Sequence, residues 1–271
     1  MKYYPMHFVY TEIKKENSKM LLGIDIGNTN VVCALIDNGT ILRTHRFLTK
    51  KNATSEYYEN SLNKILAQEQ PQSIIISSVV PEINEQIKNV CTNITGTPPL
   101  FVSSRLNTGL HIKYDYPEKL GADLITGAAG AAARYKAPVI IVDIGTATTI
   151  SVVNENNDYL GGLIAPGPAT SMKALSNAAS LLPEIELIPT NKTIGTNTSD
   201  CMKIGILTAH AAMIDGMIDR IKQAIGIPDA KIIATGGPAK DIISMCKTEI
   251  IYDNNLLFYG LYELYKMNSG N

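Results

Sequence analysis

Two stretches of the chain share one hydrophobic pattern. In LLGIDIGNTNVVCALID (residues 21–37) and VIIVDIGTATTISVV (residues 139–153), an apolar run ends in Asp-Ile-Gly, passes a Thr-containing turn and resumes as a β-branched run. Each reads as a hairpin. After the first, an Asn38-Gly39 turn and the alternating TILRTHRF add a third strand. Tyr58, Leu62, Ile65 and Leu66 mark one face of a helix over residues 54–69, SIIISSVV reads as a buried strand, and residues 81–91 read as a helix opened by proline. The order is βββαβα. The second half repeats it, with strands over residues 139–142, 148–153 and 159–164 and Asn156 and Asn157 near a turn. A helical stretch over residues 198–224, the strand KIIAT, a Gly-Gly-Pro turn and a helix over residues 239–247 then follow. Residues 166–197 are an insertion, and a helix over residues 256–266 closes the chain. The expected fold is α/β, with duplicated βββαβα units facing each other across one cleft lined by equivalent turns. The units divide as residues 20–120 and 121–271, preceded by a loose extension over residues 1–19.

Composition narrows the picture. A chain of 271 residues suits two domains of roughly 100 to 200 residues each. With 24 basic and 25 acidic side chains and a net charge of −1, no overall field favours nucleic acid. Cys33, Cys91, Cys201 and Cys246 lie far apart, outside zinc or redox spacings, as expected of reduced thiols in the cytoplasm. Residues 1–19 are interrupted by Pro5, Glu12, Lys14, Lys15 and Glu16, so they offer neither a signal-peptide core nor a membrane span. Strand-like sequence begins at Met20, which leaves the natural start open between Met1 and Met20. His7, His45, His111 and His210 form no triad or metal spacing, and His210 on an Ala-rich helix reads as packed.

The duplicated turns carry the candidate chemistry. A tight Gly-containing hairpin presents backbone N–H groups to an anion, and Gly27 and Gly145 let a phosphate approach. Asp25 and Asp143 repel phosphate but can hold a cation against it. Two turns and a cation suit a nucleoside triphosphate. Neither G-x-x-x-x-G-K-[ST] nor a strand followed by G-x-G-x-x-G is present. In YDYPEKLGADLITGAAGAAARY, Pro117 and Gly121 precede an Ala-rich helix, so Asp123 falls in its first turn at the junction of the halves. Position alone leaves it open between a helix-terminal charge and a general base for a hydroxyl attacking a γ-phosphate. Gly161, Gly162, Pro166 and Gly167 set shape, whereas Gly236 and Gly237 are open between a simple βα turn and an approach to adenosine.

DIGNTN, YPEKLGAD, DIGTATT, GGLIAPG, GTNTSDCMKIG and TGG stand in the order and at the approximate spacing found in type III pantothenate kinases, which the chain resembles from Met20 to the last helix. The resemblance implies an actin-like, ribonuclease-H-type fold in two domains and ATP-dependent phosphorylation of pantothenate, the first step toward coenzyme A. It implies that Asp25, Ile26, Gly27, Asn28, Thr29, Asn30, Val31 and Val32 wrap the ATP phosphates, with Asp25 near Mg2+ and Thr146 touching ATP from the second hairpin. Asp123 would be the catalytic base. Asp143 would hold a monovalent cation, K+ or NH4+, while Tyr114, Gly121, Ala122, Asp123, Leu124 and Thr198 would line the pantothenate pocket. A cytoplasmic homodimer is implied, with residues 198–224 as the expected interface helix because ILTAHAAMI combines small and apolar residues.

One departure stands out. Members of that family typically carry Arg directly after the motif aspartate, able to hold the pantothenate carboxylate, and this chain has Leu124; Lys113 or Lys119 are the alternative cations. Two other readings therefore stay open: an actin-like phosphotransferase or phosphatase for another small hydroxyl substrate, and a non-catalytic paralogue acting as regulator or partner subunit. A Cys-rich zinc motif with Asp-x-Gly-Gly-Thr would mark the related sugar kinases, and a helix-turn-helix a DNA-binding regulator; the sequence shows neither.

Overall fold

The computed structural model describes residues 20–67 and 69–270, so the extension expected over residues 1–19 lies outside the described residues. The first unit runs β1 (Met20–Ile26), β2 (Asn30–Asp37), β3 (Thr40–Leu48), α1 (Ser55–Leu66), β4 (Ser73–Ser78), α2 (Pro81–Thr95) and β5 (Leu100–Phe101). Its sheet has the order β3-β2-β1-β4-β5, an antiparallel meander extended by parallel strands on the β1 side. Asn38 and Gly39, both at positive φ, turn β2 into β3 as the sequence predicts.

The chain crosses to the second sheet earlier than residue 120. The short β6 (His111–Ile112) already pairs in parallel with a strand of the second unit. After it come α3 (Ala122–Tyr135), β7 (Val139–Ile144), β8 (Ala147–Val153), β9 (Asp158–Pro166), α4 (Pro168–Ala178), α5 (Thr198–Lys203), α6 (Ala209–Ile225), β10 (Lys231–Thr235), α7 (Ala239–Ile243), β11 (Ile251–Tyr252) and α8 (Leu256–Asn268). The order β11-β10-β7-β8-β9-β6 is the first sheet repeated, with β6 added at the β9 edge. Even the irregularities repeat. The register slips between Leu35 and Ile36 on β2, leaving Leu42 as an extra residue, and between Val152 and Val153 on β8, leaving Leu160.

Three cores follow from this layering. One lies between the first sheet and α1 and α2, built on Leu22, Ile24, Leu35, Tyr58, Ile76 and Ile83. A second lies under the other sheet, where Ile140, Val142 and Ile150 meet Ile206, Leu207, Ile214 and Ile218. The third joins the halves through α3 and α8. Those two helices approach so closely that a Cβ on Gly130 would stand 2.6 Å from the Leu256 carbonyl oxygen, and one on Gly260 would collide with that of Thr126. The Gly- and Ala-rich run of α3 is thereby explained. The closing helix also packs Leu261 and Phe258 over Gly23 of β1, so it returns to the first half.

The helix expected over residues 198–224 is a continuous run of α5, a π-helical turn at Ile204–Thr208 and α6. By length and composition it could cross a membrane, yet Ile206, Leu207, Ala211, Ile214 and Ile218 are buried in the C-terminal core. One face of the expected interface helix is thus taken up by the chain's own core, while Ala209, Ala212, Met217 and Ile221 stay exposed or half-buried. The expected helix over residues 239–247 stops at Ile243, because the Asp215 carboxylate accepts from the Lys247 and Thr248 N–H groups and bends the chain away.

Candidate active site

The carboxylates sit at the ends of the central strands because of strand periodicity. On β1, Ile24 and Ile26 face the first core, so Asp25 between them points the other way. On β7, Val142 and Ile144 do the same for Asp143. Across the ladders Asp25 pairs with Val32 on β2 and Ser77 on β4, and Asp143 with Thr149 on β8 and Thr235 on β10. The third carboxylate comes from the seam. Asp123 lies in the first turn of α3, its Oδ1 accepting from the Leu124 N–H at 2.8 Å, and Gly121 leaves room for it where a Cβ would collide with that oxygen.

The duplicated turns meet face to face. Thr29 and Thr146 hydroxyls lie 3.0 Å apart although 117 residues separate them in sequence. Each turn is held from behind in the same way: the Thr49 N–H donates to the Thr29 carbonyl at 3.0 Å, and the Gly167 N–H to the Thr146 carbonyl at 3.0 Å. Gly167 sits so near the Gly145 carbonyl that a Cβ would not fit, the shape-setting role expected of that motif. Below the turns opens a cavity of about 300 Å3.

Asp25, Gly27, Asn28, Thr29, Asn30, Val32, Asp123, Asp143 and Thr146 line this cavity. Ile26 and Val31 are fully buried with their side chains in the first core, as alternation requires. Gly145, Gly236 and Gly237 line it as well; Gly236, at positive φ, lies directly over the Ile144 carbonyl and the Asp143 carboxylate. Of the expected acceptor residues Asp123 lines the cavity, whereas Tyr114, Gly121, Ala122, Leu124 and Thr198 are not among its lining residues. Tyr114 packs edge-on against Tyr159 at 6.5 Å and over Gly161, Ala122 and Leu124 belong to the seam core, and Thr198 opens α5.

Arg46, Val79, Thr149, Thr235, Asn254, Leu257 and Phe258 also line the cavity and were missed from the sequence. Val79 and Thr235 mark the carboxyl ends of β4 and β10, the side of a parallel sheet where ligands bind, so topology could have found them. Arg46 required the register of β3. The α8 residues carry no local signal.

Burial pushes the Asp25 carboxyl up to about 7, helped by the Asp123 and Asp143 charges and opposed by Ser77 and Arg46. The Ser77 hydroxyl is buried and completes no hydrogen bond of normal geometry, although it lies close enough to moderate the shift. Burial, then Asp123, pushes Asp143 up to about 6. Asp123 is itself raised by burial, and the Leu124 N–H counteracts this. Buried carboxylates with raised affinity for a proton are equally short of a metal ion's charge. Among the described residues no three acidic, His or Cys side chains form a metal cage. A hard divalent ion that keeps its waters and takes phosphate oxygens as ligands fits such a donor set through one or two carboxylates.

Comparison with known proteins agrees with this geometry. The family described as type III pantothenate kinase matches residues 21–220. A type III pantothenate kinase of Shouchella clausii is 40% identical over 255 residues, covering 92% of this chain and 100% of that protein. One of Halalkalibacterium halodurans is 38% identical with the same coverage. Among solved structures, a Baf family protein of Campylobacter jejuni superimposes with a TM-score of 0.60 at 21% identity, covering 90% of this chain and 97% of that one. MreB 5 of Spiroplasma citri gives 0.53 at 11% identity, covering 93% and 97%. Both likenesses speak to the fold, which is actin-like. With the family match over most of its length and relatives aligned end to end, the chain belongs to the type III pantothenate kinase family.

Proposed function

We propose that this chain transfers the γ-phosphoryl group of ATP to the primary hydroxyl of pantothenate, giving 4′-phosphopantothenate at the first step of coenzyme A synthesis. The observation that carries the reading is the meeting of Thr29 and Thr146, which brings two carboxylate-bearing hairpins and Asp123 to one cavity. In the proposed arrangement the first hairpin, from Asp25 to Val32, and Thr146 hold the polyphosphate through backbone N–H groups and small polar side chains. Mg2+ at Asp25 would neutralise phosphate charge, and K+ or NH4+ would be held at Asp143. Asp123, raised by burial and fixed by the Leu124 N–H, orients the acceptor hydroxyl and takes its proton. The decisive experiment is an ATP-dependent pantothenate phosphorylation assay with K+, Na+ or NH4+. Absence of turnover with K+ or NH4+ present refutes the activity, and equal rates in Na+ refute the monovalent site.

Leu124 is half-buried against the seam core, where a family Arg would offer a fork to the pantothenate carboxylate. The alternative cations are engaged elsewhere, Lys113 3.9 Å from Asp158 and Lys119 4.6 Å over the Tyr116 ring. Leu124→Arg is expected to lower the KM for pantothenate by about one power of ten, the value of a charge-assisted hydrogen bond. An unchanged KM would mean that another group already holds the carboxylate or that the acceptor differs.

The proposed homodimer needs a surface other than the buried face of ILTAHAAMI. Leu160, Leu163, Met217, Ile221 and Ile225 line an apolar groove between β9 and the end of α6, with Ile164 exposed nearby. That face is the proposed contact between copies. Sedimentation that finds only monomer at micromolar concentration refutes the assembly.

A further inference from the structure

The strand row that carries Asp25 ends in a cation. Val32 pairs with Asp25 on one side and with Arg46 on the other, so three side chains in line share the cavity face. Among the described residues that line the cavity, Arg46 is the only Lys or Arg, against the three carboxylates Asp25, Asp123 and Asp143. Its Nη1 lies 3.9 Å from where a Cβ would stand on Gly237, so the side chain reaches across from the first sheet to the turn after β10.

What the guanidinium does not do is equally telling. Arg43, on the same strand, binds the Ile65 and Leu66 carbonyls and Glu69, and Arg134 stacks 3.9 Å over Tyr259 beside Asp253. Arg46 makes no hydrogen bond or ion pair among the described residues. A planar fork with free donors at the mouth of a cavity built for polyphosphate is matched to non-bridging phosphate oxygens.

We propose that Arg46 is a catalytic residue of this site, gripping the nucleotide's polyphosphate from the first sheet opposite the backbone of Gly237 and stabilising the charge that develops during phosphoryl transfer. This rests on the ATP-dependent reading of the cavity, and its test is therefore read without the acceptor. The full-length wild type, Arg46→Gln and Arg46→Lys would be titrated with Mg2+-ATP by calorimetry, with thermal melting of each protein alongside. Arg46→Gln should weaken Mg2+-ATP binding about 10- to 100-fold, the loss of one charge-assisted contact, with Arg46→Lys in between and melting unchanged. A glutamine variant that binds Mg2+-ATP within about twofold of wild type overturns the assignment, as does a loss of binding that tracks a loss of folding. A wild type that binds Mg2+-ATP yet leaves pantothenate unphosphorylated overturns the proposed function and leaves Arg46 in place.

Discussion

Across the first meander the side chains Asp25, Val32 and Arg46 stand in a row; across the second the same three places hold Asp143, Thr149 and Ile164. The parallel neighbours also correspond, Ser77 beside Asp25 and Thr235 beside Asp143. Both sheets thus keep a carboxylate on the central strand and a small hydroxyl next to it, as the proposed grip of both hairpins on one polyphosphate needs. They differ at the third strand. The first sheet places a guanidinium there, while the second places Ile164, which is 71% exposed, beside an edge lengthened by β6. The turns differ as well, with four residues (27–30) between the last paired positions of β1 and β2 and three (145–147) between those of β7 and β8. One scaffold used twice thus puts a carboxylate and small hydroxyls on both walls of the cavity and a cation on the first alone, since Arg46 lines the cavity and Ile164 does not.

The position without a counterpart in this pairing gives the largest expected effect. Asp123 comes from the seam and acts on both walls, since its charge raises the proton affinity of Asp25 and of Asp143. Asp123→Asn keeps the shape and removes the base, so turnover should fall about 10^2- to 10^4-fold while Mg2+-ATP affinity stays within severalfold. Steady-state kinetics with parallel calorimetry decides it, and retention of most of the turnover removes Asp123 from the role of base.

The two central carboxylates provide a graded test. Because Asp25 is pushed to about 7 and Asp143 to about 6, the folded chain holds both protons more tightly than the unfolded chain from about pH 4 upward. Stability should fall as pH rises through that window, to about pH 6 for Asp143 and about pH 7 for Asp25. At pH 8 the ceilings on the penalty are about 4 kcal/mol for Asp25 and about 3 kcal/mol for Asp143, at 1.36 kcal/mol for each pKa unit. Asp25→Asn should therefore raise the metal-free Tm at pH 8 more than Asp143→Asn, and both gains should vanish near pH 4. If the order of the two were reversed, burial would not penalise the Asp25 charge more than that of Asp143.

How much of this was legible in the sequence follows from which features are local. Alternation fixed the faces of β1 and β7, so Asp25 and Asp143 could be placed from their neighbours alone, and Gly121 announced the helix start that positions Asp123. Arg46 could not be read that way. Counting back from the Asn38-Gly39 turn without a bulge sets His45 opposite Val32, and the extra residue Leu42 moves Arg46 into that place. A one-residue slip thus decides whether the first wall carries an imidazole or a guanidinium. The contributions of α8 and the turn before it were hidden for another reason: Leu257 and Phe258, with Asn254 just ahead of the helix, reach the cavity through packing between the last helix and a half far away in sequence.

The smallest expected effect tests how interchangeable the two scaffolds are. Val31 and Thr148 occupy equivalent hairpin positions, each opposite the residue after the central carboxylate, and both side chains are fully buried. Val31 packs in the first core, whereas the Thr148 hydroxyl meets His210 Nε2 of α6 at 2.8 Å, with burial lowering the imidazole's proton affinity. His210→Leu alone strands a buried hydroxyl and Thr148→Val alone strands a buried ring nitrogen, each costing about 1 to 3 kcal/mol. The double variant replaces both partners with apolar groups, as the first half does, and should recover most of that loss. A double-mutant cycle on thermal or urea unfolding would then give a coupling of about 1 kcal/mol or more. Simple additivity of the two losses would mean that the hydrogen bond contributes nothing beyond packing, and that the second hairpin is held to α6 by shape alone.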